Sequence, residues 1–203
     1  VEGSFGRAER VLVRHGIWTL VLDTFFSAAT KMTHTRVRAP FVRTDGFRFT
    51  IYRRGMFSEL AKVFGMQDVE VGPANFDLWF IVKGTDEGKL RDLCADARLR
   101  DLLFVVPNVH LSIECGTEAF ETSPSANTDE LTLVVPGAIG EAECLRGMFD
   151  LMARALDRMT SIGSAAGTAP EPARCPYCKH QLLAQTVCPE CGRPVTAPDG
   201  GTG

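Results

Sequence analysis

Four cysteines near the C-terminus constrain this chain more than any other feature. Cys175-Pro-Tyr-Cys178 and Cys188-Pro-Glu-Cys191 stand nine residues apart, and a tight turn at each pair points both sulfurs to one side. Two such turns facing each other supply a tetrahedron of thiolates at about 2.3 Å from a metal. Soft thiolates suit Zn2+, whereas Mg2+ and Ca2+ prefer oxygen. Every position is filled by protein, so the expected cofactor is one structural zinc held by Cys175, Cys178, Cys188 and Cys191. The segment needs it, because about 25 residues with only Leu182, Leu183 and Val187 to bury cannot fold alone.

Two rival chemistries use the same residues. A redox Cys-x-x-Cys opens a helix after a strand, so that the helix N-terminus lowers the thiol pKa; here Cys191 is followed by Gly192 and Pro194. Iron is allowed by four thiolates as zinc is. The other three cysteines, Cys94, Cys115 and Cys144, are isolated in apolar surroundings. Seven cysteines in this arrangement do not make a disulfide framework, and they fit a reducing, cytoplasmic setting.

The rest of the chain divides around that module. From Gly163 to Ala173 the residues are Gly, Ser, Ala, Thr, Pro and Glu with no large apolar side chain, which predicts a linker. The expected organisation is a globular domain over 1–163, a flexible linker over 164–173, the ribbon over 174–196 and a disordered tail over 197–203. An apolar fraction of 45% suits a buried core. A net charge of -3 and a pI near 5.8 argue against a surface built throughout for nucleic acid or anionic membrane. The most apolar stretch, from Val11 to Phe26, is broken by Arg14, His15 and Asp23, short of the roughly 18 residues a membrane span requires. A soluble chain is expected. It begins with Val, so an N-terminal piece preceding it is allowed.

The cysteine segment resembles the short Cys-Pro-x-Cys-Gly zinc ribbons appended to bacterial proteins, and it departs from them at Lys179, where the usual Gly is missing. The resemblance implies a module that contacts protein or nucleic acid. The wording Arg36-Val-Arg38-Ala-Pro-Phe41, the run Gly46 to Gly72, the stretch Phe76 to Gly84 and the helix ending Ile162-Gly163-Ser164 resemble an uncharacterised bacterial α+β domain family. That resemblance implies no activity, substrate or catalytic residue.

Periodicity predicts an α+β fold: a largely antiparallel sheet packed by a long C-terminal helix. Phe47, Phe49 and Ile51 alternate with polar residues as a strand does. Its expected partner is 35–42, joined through a Thr44-Asp45-Gly46 loop that pairs Phe41 with Phe49 and Ala39 with Ile51. Ile17 to Phe26 is expected as a third strand, with helical spacing as the alternative. A short helical or turn segment around Phe57 to Phe64 follows, then strands at 69–72, 76–83, 109–115 and 131–135, with a polar loop from 116 to 129. Thr85 and Asp96 are expected to cap two helices. Leu145, Met148, Phe149, Met152, Leu156 and Met159 fall on one helical stripe of roughly 20 residues, about 30 Å long. Such a stripe is core rather than a binding groove.

Between Lys31 and Arg54 there are seven basic residues and one acid, Asp45. In the predicted register Arg36 faces Arg54 and Arg38 faces Tyr52, with Arg48 on the same outer face. Like charges across a sheet repel unless an anion lies nearby, so Arg36, Arg38, Arg48 and Arg54 are candidate anion contacts. The competing account pairs them with acids such as Asp68, Glu70 or Asp77. His15, His34, His110 and His180 are scattered without a matching nucleophile or carboxylate spacing. The polar run from Gly65 to Gly72 is expected to be a tight connection. The expectation is a non-enzymatic, zinc-binding interaction or scaffolding protein. Its partner is a protein, or nucleic acid held by the arginine face and the ribbon. The third alternative is an enzyme whose site is assembled from distant residues.

Overall fold

The structure, a computed structural model, describes residues 10–55, 67–115, 127–167, 177–178 and 190–193. The chain divides into two compact units, Val1–Thr168 and Ala169–Gly203. The first contains β1 (Val11–His15), β2 (Trp18–Ser27), β3 (Met32–Arg43), β4 (Phe49–Arg53), α1 (Ala74–Trp79), α2 (Glu87–Cys94), α3 (Ala97–Val105) and α4 (Ala142–Ser161). It also contains β5 (Gln67–Asp68), β6 (Phe80–Gly84), β7 (His110–Cys115), β8 (Thr128–Pro136) and β9 (Ala165–Ala166).

Eight described strands form one antiparallel sheet in the order β1-β2-β3-β8-β7-β4-β6-β5, and β9 pairs with Val42 and Arg43 at the end of β3. With α1 to α4 this is an α+β architecture. Because strand side chains alternate faces, Val37, Ala39, Leu111, Leu131, Leu133, Ile51 and Val82 share one side, fully buried. The helices cover that side: Leu90 and Leu93 of α2, Leu99 and Leu103 of α3, and Met148, Leu151, Met152, Leu156 and Met159 of α4 join the same apolar cluster. The methionine stripe is therefore core, as its spacing predicts. Asp86 and Asp96 cap α2 and α3 by accepting from Lys89 N and Leu99 N. The cap at Asp96 is the expected one; at α2 the cap falls on Asp86 rather than Thr85, whose hydroxyl instead accepts from Arg48 N.

The structure overturns the predicted hairpin. β3 does not pair with β4; β8 and β7 lie between them, so Ala39 stands opposite Leu131, and Ile51 opposite Leu111 and Val82. The connection after Arg43 reverses the chain but carries it past β8 and β7 instead of closing a hairpin. Asp45 accepts from Phe47 N, and Arg48 and Thr85 exchange hydrogen bonds, Arg48 N to Thr85 Oγ1 and Thr85 N to Arg48 O. The chain is thus tied to the β6–α2 junction, and β4 enters the sheet beside β6.

Other boundaries move less. The strand expected at Ile17 to Phe26 is β2, closed onto β1 by the two-residue turn Gly16-Ile17, in which Gly16 takes a positive φ of 57°, the first-position glycine that short hairpins favour. The expected strand at 76–83 is the helix α1 followed by β6, and the strand expected at 69–72 does not form; the two-residue β5 lies just before it. The predicted linker starts too early: Ser164 is buried, Ala165–Ala166 extends the sheet, and the first unit runs to Thr168. The segment expected at 57–64 lies outside the described residues.

Candidate functional site

The sheet face away from the helices is polar and largely buried. Backbone register lays its residues in cross-strand rows. One row runs Val21, Arg38, Thr132, Ser112, Thr50, Lys83, Asp68; the next runs Asp23, Arg36, Val134, His110, Tyr52, Ile81. Asp23, Arg38, Thr132, Ser112, Thr50, Glu130, His34 and His110 are each less than one-tenth exposed. Sidedness follows from the alternation in the strands, but the burial of so many polar groups does not.

Charge on this face is paired in place. Asp23 accepts from Arg36 Nε at 2.9 Å and Arg36 Nη2 at 3.1 Å, and also from Arg38 Nη2. Burial alone would raise the Asp23 carboxyl, but the hydrogen bonds and charges of Arg36 and Arg38 outweigh it and hold the carboxyl below the usual range. Glu130 stands 3.7 Å from Arg38 Nη1 and responds in the opposite sense: burial drives it up to about 7 despite Arg38 and Arg36. Its Oε2 has no hydrogen-bond partner among the described residues. Burial also pushes His110 down to about 4 and lowers His34, so both imidazoles are neutral near pH 7.

A cleft of about 230 Å³ opens on this face, lined by residues that include Phe25, His34, Arg36, His110, Ser112 and Thr132. Phe25 stacks on His34 with ring centroids 5.3 Å apart, and the Arg36 guanidinium lies 4.6 Å from the Phe25 centroid. His34 Nε2 is 2.7 Å from Thr30 Oγ1, and His110 Nε2 is 3.2 Å from Thr50 Oγ1. His34 Nδ1 and Ser112 Oγ are buried without a hydrogen-bond partner among the described residues.

The four arginines predicted as anion contacts are dispersed. Arg36 faces Asp23 and Val134 rather than Arg54, and Arg38 faces Val21 and Thr132 rather than Tyr52. Arg48 pairs with Asp129 at 3.0 Å, and Asp129 belongs by alternation to the opposite face, with Leu131. Arg54 is exposed and donates to the Asp77 carbonyl. Arg36, Arg38 and Arg48 are paired with acids, but with Asp23, Glu130 and Asp129; Asp68 pairs with Lys83 instead. Sequence reasoning missed Asp23, Glu130 and Ser112. Their signal was a polar residue at the even step of an otherwise apolar strand, in Leu-Asp23-Thr, Asp-Glu130-Leu and Leu-Ser112-Ile, which reads equally as solvent exposure.

At the thiolate module, Cys175 and Cys188 lie outside the described residues. Cys178 and Cys191 both sit in turns, Gly192 has a φ of 66°, and the Arg193 guanidinium lies 4.6 Å from the Tyr177 ring centroid. Tyr177 belongs to the first cysteine pair and Arg193 follows the second, so these residues of the two turns are neighbours. The donor chemistry fits zinc. Cys94 is a different kind of thiol, fully buried in the helix layer, where desolvation pushes it up to about 12 and makes it inert. Among the described residues no helix is long and apolar enough to cross a membrane. Comparison with protein-family models, curated proteins and solved structures gave no match.

Proposed function

We propose that the chain is a zinc-binding, non-enzymatic interaction protein, in which the sheet-and-helix unit and the cysteine segment each contact a protein partner. The observation that carries this is a group of exposed apolar side chains at the C-terminal ends of α1 and α3. Leu78 is 70% exposed, Trp79 56% and Val105 64%, with Phe104 beside them. Arg53 joins the patch together: its guanidinium lies 5.8 Å from the Trp79 ring centroid and donates to the Phe104 carbonyl. Trp and Arg are the residues that supply a disproportionate share of protein–protein binding energy, and a contiguous exposed apolar patch marks an interaction surface. The zinc would be held by Cys175, Cys178, Cys188 and Cys191, and a four-thiolate ion suits a reducing, cytoplasmic compartment.

Elemental analysis of the purified chain is expected to give one zinc per molecule, lost in Cys188→Ser; a chain with no bound metal overturns the metal assignment, and iron replaces zinc in it. A photo-crosslinker at Leu78 is expected to give one discrete protein adduct in cells, lost in Trp79→Ala. An adduct pattern unchanged by that substitution refutes the patch. The nucleic-acid alternative is less supported, because Arg36, Arg38 and Arg48 each pair with an acid of the same unit. Nucleic-acid binding that falls steeply with salt would restore it.

A further inference from the structure

We infer that the cleft on the helix-free face binds a small organic acid through a single carboxylate. Arg36 uses Nε and Nη2 for its side-on pair with Asp23, which leaves the end-on edge of the guanidinium, Nη1 with the second Nη2 proton, for another carboxylate. A planar fork of this kind accepts a carboxylate with two parallel hydrogen bonds. The side chain is one-quarter exposed and lines the cleft, so the edge is reachable.

Two further groups call for a ligand. Ser112 Oγ and His34 Nδ1 are buried, line the same cleft, and have no hydrogen-bond partner among the described residues. A buried polar atom left without a partner is destabilising, so such atoms are normally satisfied by water or by a bound molecule. The rest of the lining sets apolar Phe25, Ile113 and Val134 beside polar Ser27, His110, Glu114 and Thr132. A ligand with one polar head and a small apolar body matches that division.

Charge decides between acids. Arg36 and Arg38 bring two positive charges against Asp23 and Glu130; burial drives Glu130 up to about 7, so near pH 7 it offsets only part of the second charge, and both imidazoles on this face are neutral. Glu114 lines the mouth but is exposed, so water screens it. The remaining surplus is less than one full positive charge, which a carboxylate matches more closely than a phosphate dianion does.

The test is calorimetric and saturation-transfer NMR titration of the full chain with acetate, hexanoate and benzoate, with benzamide and inorganic phosphate as the contrasting probes. At least one of the three acids is expected to bind saturably, at least tenfold tighter than benzamide or phosphate if it is benzoate, and tenfold tighter than phosphate otherwise. Ser112→Ala, a small change inside a strand, should weaken that acid about fivefold, and Arg36→Lys, which keeps the charge and loses the fork, at least tenfold. No saturable binding by any of the three means that water alone fills the cleft and overturns the inference. Equal binding of phosphate, or affinity unchanged in a folded Ser112→Ala chain, overturns it as well.

Discussion

Replacing Glu130 by glutamine should change stability in a way that depends on pH and only on pH. Glu130 is 3% exposed on β8, and desolvation raises its carboxyl from 4.5 to about 7, with Glu114 pushing the same way and Arg38 and Arg36 opposing. A shift of that size is about 3 kcal/mol, at about 1.4 kcal/mol per unit. The folded chain holds this proton more tightly than the unfolded one, so stability falls as pH rises from 4.5 through 7 and levels off above. Glu130→Gln keeps the shape of the neutral acid and cannot ionise. The unfolding free energy of the variant relative to wild type should therefore be near zero around pH 4 and reach about 3 kcal/mol in the variant's favour by pH 8. Taking the difference cancels other groups, His110 above all: its depressed value makes the folded state lose stability as pH falls from 6.5 towards 4. Urea titrations at stepped pH, followed by tryptophan fluorescence, measure it. Both tryptophans, Trp18 and Trp79, lie in Val1–Thr168, so the signal reads that unit. A difference that stays flat within about 0.5 kcal/mol from pH 4.5 to 8 would show Glu130 ionised beside Arg38 at ordinary pH, and the argument from burial would fail.

Three other substitutions probe the same packing. Asp23→Asn strips Arg36 and Arg38 of their shared carboxylate and should cost about 3 kcal/mol at pH 7, since it leaves buried guanidinium charge uncompensated; the midpoint of urea unfolding reports it. Gly84→Ala places a methyl 2.7 Å from a Leu90 methyl and 2.8 Å from the Arg48 carbonyl, and because that carbonyl is backbone and cannot turn aside the expected loss is about 2 kcal/mol with a lower melting temperature. Asp96→Ala removes the cap of α3 together with the carboxylate held by Arg154, so α3 should lose about 2 kcal/mol of protection in hydrogen exchange; unchanged protection at Leu99 N would mean the cap contributes nothing.

What the sequence determined by itself is whatever depends on neighbours along the chain. The 3.6-residue stripe from Leu145 to Met159 places α4 and its buried methionines, Asp96 three residues before Leu99 predicts its own cap, and the two-residue period predicts strands at β2, β4, β7 and β8. Cysteine spacing is legible for the same reason, since each Cys-x-x-Cys is a local turn. Partnership across the sheet was decided only in the tertiary structure. Residues 44–48 are compatible with a tight reversal, and nothing local reveals that Thr85 will bond Arg48 and send β4 to the far side of β7 and β8. The arginines show the consequence. Alternation places Arg36 and Arg38 opposite the helix side of β3, but whether such a charge is solvated or neutralised depends on Asp23 and Glu130, and a strand's hydrophobic pattern carries no record of which other strand will lie beside it.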